Sequence, residues 1–158
     1  MPINQIQELS KLVINGNPEE KGEVSPFVKL LWELGLQTEE EYLKTLGDIQ
    51  YSDLRNFSID EGATETLRLM HEGAPLIYQG VLKDDIYVGR PDLLMKRFDR
   101  SSRFGEFCYE PIDIKAGMGW EERGTARRFK DHYAFQILFY LMLLERLQGT
   151  ALETARII

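Results

Sequence analysis

The chain has 158 residues, a formal net charge of −7, 43% hydrophobic and 28% charged residues, and one cysteine, Cys108. That length suffices for one domain with a real core. The lone cysteine excludes an internal disulfide framework and a protein-only four-cysteine metal or iron–sulfur site. The acidic balance argues against a generic nucleic-acid coating protein, whose domain is usually basic. A nucleic-acid enzyme needs only a local basic groove, and two local groups exist: Lys96, Arg97, Arg100 and Arg103, then Arg123, Arg127, Arg128 and Lys130. Alone, such groups read as solvated charges. The N-terminus MPINQIQELSK lacks a basic region followed by an apolar core, so no signal peptide is expected. The longest apolar run, AFQILFYLMLL, is about 11 residues against the roughly 20 that a membrane span needs. No membrane association and a cytoplasmic location are therefore expected.

In chain order, NQIQELSKLVI reads as a short helix and GNPEEKGEV as a polar break. SPFVKLLWELG starts a helix with Ser25 as N-cap and Pro26 first in the helix, and Gly35 is placed to stop it. TEEEYLKTLG reads as a separate helix ending near Gly47, with Thr38 and Glu41 at capping-box spacing. SIDEGATETLRLMHEG is a further amphipathic helix, with Gly73 after its last turn. APLIYQGVLKDD then reads as a strand turning at Asp84 and Asp85, and DIYVGRPDLLMKRF as a second strand bent at Gly89 to Pro91. After the loop DRSSRFG, EFCYEPIDIKAG is a third strand. One long helix is expected from about Thr125 to Gln148, apolar almost all round in its second half and so buried on more than one side. TARII reads as the start of a last strand, where the chain stops; either a longer parent chain, with room for a further C-terminal domain or a partner protein, or a trimmed domain is expected. The order gives one α/β or α+β domain over 1–158, with a mixed sheet flanked by helices.

The chemistry concentrates in two strands. In IDIK, Asp113 and Lys115 share a face while Ile112 and Ile114 take the other. Asp92 in GRPDLL sits in the neighbouring strand, where antiparallel pairing can set it beside Asp113. Two carboxylates so placed suit a hard divalent cation such as Mg²⁺ or Mn²⁺, and without one they repel. Lys115 can orient or deprotonate a water, or steady charge on a phosphate oxygen. Gln136 and Tyr140, four apart on the long helix, share a face and are polar exceptions in an apolar stretch.

With these residues in place, the chain resembles the PD-(D/E)XK nuclease superfamily. Asp92 in GRPD, with Asp113 and Lys115 in IDIK, looks like its signature. Gln136 and Tyr140 look like the QxxxY motif of its RecB-like branch, whose members can carry a further C-terminal domain. The resemblance runs from about Gly35 to the C-terminus. It implies a restriction-endonuclease-like αβββαβ core and a Mg²⁺-dependent deoxyribonuclease, with a role in DNA repair, recombination or mobile-element defence. It also implies Asp92, Asp113 and Glu39 as metal-binding side chains, helped by the main-chain carbonyl of Ile114. Metal-activated water would attack the phosphorus with help from Lys115, leaving 5′-phosphates, and Gln136 and Tyr140 would position the strand or the lysine. Some relatives hold an iron–sulfur cluster through four cysteines; none is expected here.

Plainer readings stand beside these. Asp113 and Lys115 can form a structural ion pair. Asp92 can cap the bend after Pro91. Gln136 and Tyr140 can be core residues with satisfied polar ends. Glu39 and Glu40 suit the first turn of a helix, where the dipole favours acids. Glu110 shares a face with Ile112 and Ile114, away from Asp113. His71 and His132 lack ligand-spaced partners. Trp32 reads as packing, and Trp120 can pack or stack on a base. Two alternative functions remain open: a weakly active or inactive nuclease-fold scaffold that binds nucleic acid, and a metal-dependent hydrolase of another phosphate ester.

Overall fold

The computed structural model describes residues 24–117, 120–123 and 126–158, without the side chains of 118–129. The described residues fall into two compact units: those up to Gly47 with Ile114–Ala116, and Asp48–Asp113 with those from Gly117 onward. The helix expected over 4–14 lies outside the described residues.

In the first unit, helix α1 spans Pro26–Thr45. The Ser25 hydroxyl accepts from the Val28 N–H at 3.3 Å, and Pro26 opens the helix as expected. The expected break at Gly35 is corrected: one helix runs straight through it. A single mid-helix glycine costs only about 1 kcal/mol relative to alanine, less than breaking the hydrogen-bond ladder. Thr38 is accordingly no cap, since its hydroxyl donates back to the Leu34 carbonyl at 2.7 Å. Gly47, at φ 65°, takes the left-handed conformation just past the helix end.

The second unit is built on a five-stranded mixed sheet, β1 (Ser52–Asp53), β2 (Leu76–Tyr78), β5 (Leu93–Arg97), β6 (Cys108–Asp113) and β9 (Arg156–Ile157), in that spatial order. β1 runs parallel to β2 and β9 parallel to β6, while β2–β5 and β5–β6 are antiparallel. The molecule is thus mixed α/β, as expected. Two expected long strands are each divided. After Tyr78 the chain leaves the sheet, and β3 (Leu82–Lys83) pairs with β4 (Val88–Gly89) in a separate hairpin before β5 returns. The division falls where Gln79 and Gly80, then Arg90 to Asp92, interrupt the ladders.

Helix α2 (Ile59–Glu72) carries a full capping box, with the Ser58 side chain bonded to the Glu61 N–H and the Glu61 carboxylate to the Ser58 N–H. Gly73 closes it at φ 72°, as the sequence suggests. The Ser58 hydrogen bonds hold the exposed Glu61 carboxyl below its usual range. Because its folded value is depressed, this contribution is present above the ordinary glutamate range and is lost as pH falls through the folded value. Ser58→Ala is expected to lower the melting temperature by about 2–4 °C near neutral pH. The deficit should narrow in acid, and thermal melts at pH 7 and pH 3 check this.

The helix expected from Thr125 begins later, at Asp131, and α3 spans Asp131–Gln148. Residues Ala126–Phe129 instead form β8, antiparallel to β7 (Trp120–Arg123). The register sets Glu121 opposite Arg128 and Glu122 opposite Arg127. A base-stacking role for Trp120 concerns a side chain outside the described residues.

One core joins the elements of this unit: Ile77, Leu94 and Tyr109 from the sheet, Leu69 and Met70 from α2, and Ile137, Tyr140, Leu143 and Leu144 from α3. At the end of α3, Gln148 is fully buried. Its Oε1 accepts from the Tyr109 N–H at 2.8 Å and its Nε2 donates to the Tyr109 carbonyl at 3.2 Å. The side chain thereby serves the stretch of β6 that β9 is too short to reach.

Candidate metal and catalytic site

β6 alternates as the sequence requires. Tyr109 and Asp113 take the face that holds the α2–α3 core. Glu110 takes the opposite face, where its carboxylate accepts from Arg97 at 2.9 Å and from Arg156 at 3.0 Å. Glu110 is buried, and these two guanidiniums account for its charge. Its expected place away from Asp113 holds.

Asp92 lies just ahead of β5. The β5–β6 register pairs Leu93 with Ile112, so one further step sets Asp92 opposite Asp113. The β2–β5 register pairs Tyr78 with Leu93, so the same step sets Gln79 opposite Asp92. The Gln79 N–H donates to the Asp92 carbonyl at 2.8 Å, and its side-chain Nε2 donates to Asp92 Oδ1 at 3.1 Å. Three polar residues thus form one row across three strands, where the ladders end. Asp92 and Asp113 are 0% exposed and Gln79 is 2% exposed.

Gln136 and Tyr140 share a face of α3 as expected, and they bond to each other. Gln136 Nε2 donates to the Tyr140 hydroxyl at 2.9 Å, and that hydroxyl donates to the Arg90 carbonyl at 3.2 Å. The pair is therefore tied to the main chain two residues before Asp92. Gly89 makes this approach possible: a Cβ there would sit 2.9 Å from Leu143 Cδ1 and 3.0 Å from the Tyr140 ring. Arg90, also buried, donates to the Phe57 carbonyl at 3.0 Å and fixes the same stretch from the other side.

Ile114 and Lys115 follow Asp113 directly in the chain and belong with Glu39 to the other unit. Lys115 is 9% exposed and Glu39 is 3% exposed, so Glu39 is more than a surface acid of a helical turn. Among the described residues, no group of three or more His, Cys, Asp or Glu side chains is placed to hold a metal ion. The side-chain carboxylates that one register row brings together are Asp92 and Asp113.

Three members of the first basic group have partners in the fold. Lys96 donates to the Gly73 carbonyl at the end of α2, Arg97 pairs with Glu110, and Arg100 pairs with Glu153. Each of these three cations thus has a partner within the fold. In the second group, the side chains of Arg123, Arg127 and Arg128 lie outside the described residues. His71 packs edge-on against Phe104, with ring centroids 4.7 Å apart.

Strand alternation in IDIK exposed Asp113, and the GRPDLL stretch with its expected antiparallel neighbour exposed Asp92. Gln79 and Arg90 carried no such signal: each reads as an ordinary polar residue beside a glycine. The sequence hint lay in their positions at the strand interruptions, next to Gly80 and Gly89.

Comparison of the chain with protein-family models, curated proteins and solved structures returns no significant match. No helix among the described residues is long and apolar enough to cross a membrane.

Proposed function

We propose that the protein is a metal-dependent nuclease that hydrolyses DNA phosphodiester bonds, and that its sheet is the restriction-endonuclease-like core of a PD-(D/E)XK enzyme. One observation carries this reading: Asp92 and Asp113 stand buried side by side, and the Gln136–Tyr140 pair is hydrogen-bonded to the chain leading into Asp92. Burying two neighbouring carboxylates is costly unless positive charge compensates them.

The donor chemistry fits Mg²⁺ or Mn²⁺. Carboxylate and main-chain carbonyl oxygens are hard ligands, and Mg²⁺ keeps several waters while using one or two protein carboxylates. A third acidic side chain is not required. When bound, such an ion would polarise a phosphoryl oxygen and acidify a coordinated water. Asp92 and Asp113 would hold it, with the Ile114 carbonyl as a further donor. Lys115, two positions along the chain from Asp113, would take a proton from the attacking water or steady charge on a non-bridging oxygen. Gln136 and Tyr140 would keep the Arg90–Asp92 stretch in register and leave the chemistry to the carboxylates.

The test is cleavage of end-labelled single- and double-stranded DNA with Mg²⁺, Mn²⁺ or EDTA. Cutting is expected with either metal and not with EDTA. Lys115→Met keeps most of the side-chain volume and is expected to slow cutting about a hundredfold. Full activity in that variant would remove Lys115 from the mechanism. No cutting by the wild type in either metal would favour a nuclease-fold scaffold, and cutting of small phosphodiesters in preference to DNA would favour another phosphoesterase.

A further inference from the structure

Gln79 has a backbone conformation that its residue type rarely adopts. Its φ is 57°, and it is the one non-glycine residue at positive φ among the described residues. Glycine takes this region without strain and asparagine takes it more readily than most. Gln79 is also buried at the end of β2, where the chain turns out of the sheet. Strained, buried positions of this kind cluster at functional sites.

The side chain gives a reason for the choice. Its Nε2 reaches Asp92 Oδ1 at 3.1 Å. Glycine has no side chain to do this, and asparagine is one methylene shorter. A turn alone would favour glycine or asparagine; a turn that must also hold one oxygen of Asp92 requires the longer amide. The left-handed backbone directs the side chain along the row toward Asp92, in line with Asp113.

We infer that Gln79 is a positioning residue for the candidate metal site, its amide fixing the rotamer of Asp92 and so the direction in which the carboxylate is presented to a divalent cation. This rests on the reading of Asp92 and Asp113 as metal ligands. Hydrogen-bond partners of metal ligands orient those ligands, and their loss typically weakens metal affinity 10–100-fold.

The alternative is that the bond only staples β2 to β5, and Gln79→Gly separates the two. Glycine relieves the backbone strain while deleting the amide, so the variant is expected to melt at or above the wild-type temperature. Calorimetric titration should show Mn²⁺ affinity at least about tenfold weaker, with a matching rise in the Mg²⁺ concentration for half-maximal cleavage. Gln79→Asn, which suits the same backbone but falls short of Asp92, should behave alike and serves if the glycine variant does not fold. Mn²⁺ affinity equal to wild type in a folded variant would overturn the inference, whatever the melting temperature. If the wild type takes up no Mn²⁺, the metal-site reading and this role fall together. If it takes up Mn²⁺, loses affinity on substitution and leaves DNA intact, the role of Gln79 stands and only the nuclease reading falls.

Discussion

Asp113→Asn is expected to slow metal-dependent DNA cleavage by about a thousandfold or more while leaving the protein folded. A metal ligand contributes several kcal/mol of transition-state charge stabilisation, and about 4 kcal/mol corresponds to a thousandfold in rate. Asp113 closes β6, is 0% exposed, and stands opposite Asp92, one register step beyond the Leu93–Ile112 pair. Asparagine keeps its volume, so no cavity opens. The backbone bonds of the position are unaffected, including the Ile158 N–H donated to the Asp113 carbonyl at 2.9 Å. Single-turnover cleavage beside a thermal melt checks both halves. A folded variant that cuts within a few-fold of the wild type would show that this carboxylate holds no essential ion.

Leu143→Ala is expected to cost about 2–5 kcal/mol of stability. Leu143 is 0% exposed and belongs to the core shared by the sheet, α2 and α3. It also closes on Gly89, where added bulk would meet its Cδ1 at 2.9 Å. Truncation would leave a cavity beneath the hairpin that feeds into Arg90 and Asp92. Stability of a domain this size is about 5–15 kcal/mol, so the loss is a large share of the total. Guanidinium unfolding measures it, and a change below about 1 kcal/mol would show that the site collapses without penalty. The damage should extend to the candidate site, because Tyr140, one turn earlier on α3, anchors the Arg90 carbonyl.

The parts of this architecture that the sequence reveals are those set by local chemistry. Ser25 and Gly73 mark helix ends because a hydroxyl cap and a left-handed glycine have few substitutes. Asp113 and Glu110 fall on opposite faces because strand alternation leaves no choice. Gly35 misleads, because a glycine stops a helix only where the chain must turn left-handed, and nothing requires that there. The β7–β8 pair is missed because Ala126–Phe129 reads equally well as the start of α3. Gln79 is illegible for a deeper reason: the sign of φ is set by the turn out of the sheet, and its bond to Asp92 depends on a register spanning 13 residues. The ion pairs of Arg97 and Arg100 depend likewise on partners distant in sequence, Glu110 and Glu153.

The most direct test of the central claim is a calorimetric titration of Mn²⁺ into the wild type, Asp92→Asn and Asp113→Asn. If Asp92 and Asp113 hold one shared cation, the wild type binds Mn²⁺ and each substitution abolishes or severely weakens that binding in a folded protein. Absence of binding in the wild type, or Mn²⁺ binding that survives both substitutions, would contradict the account.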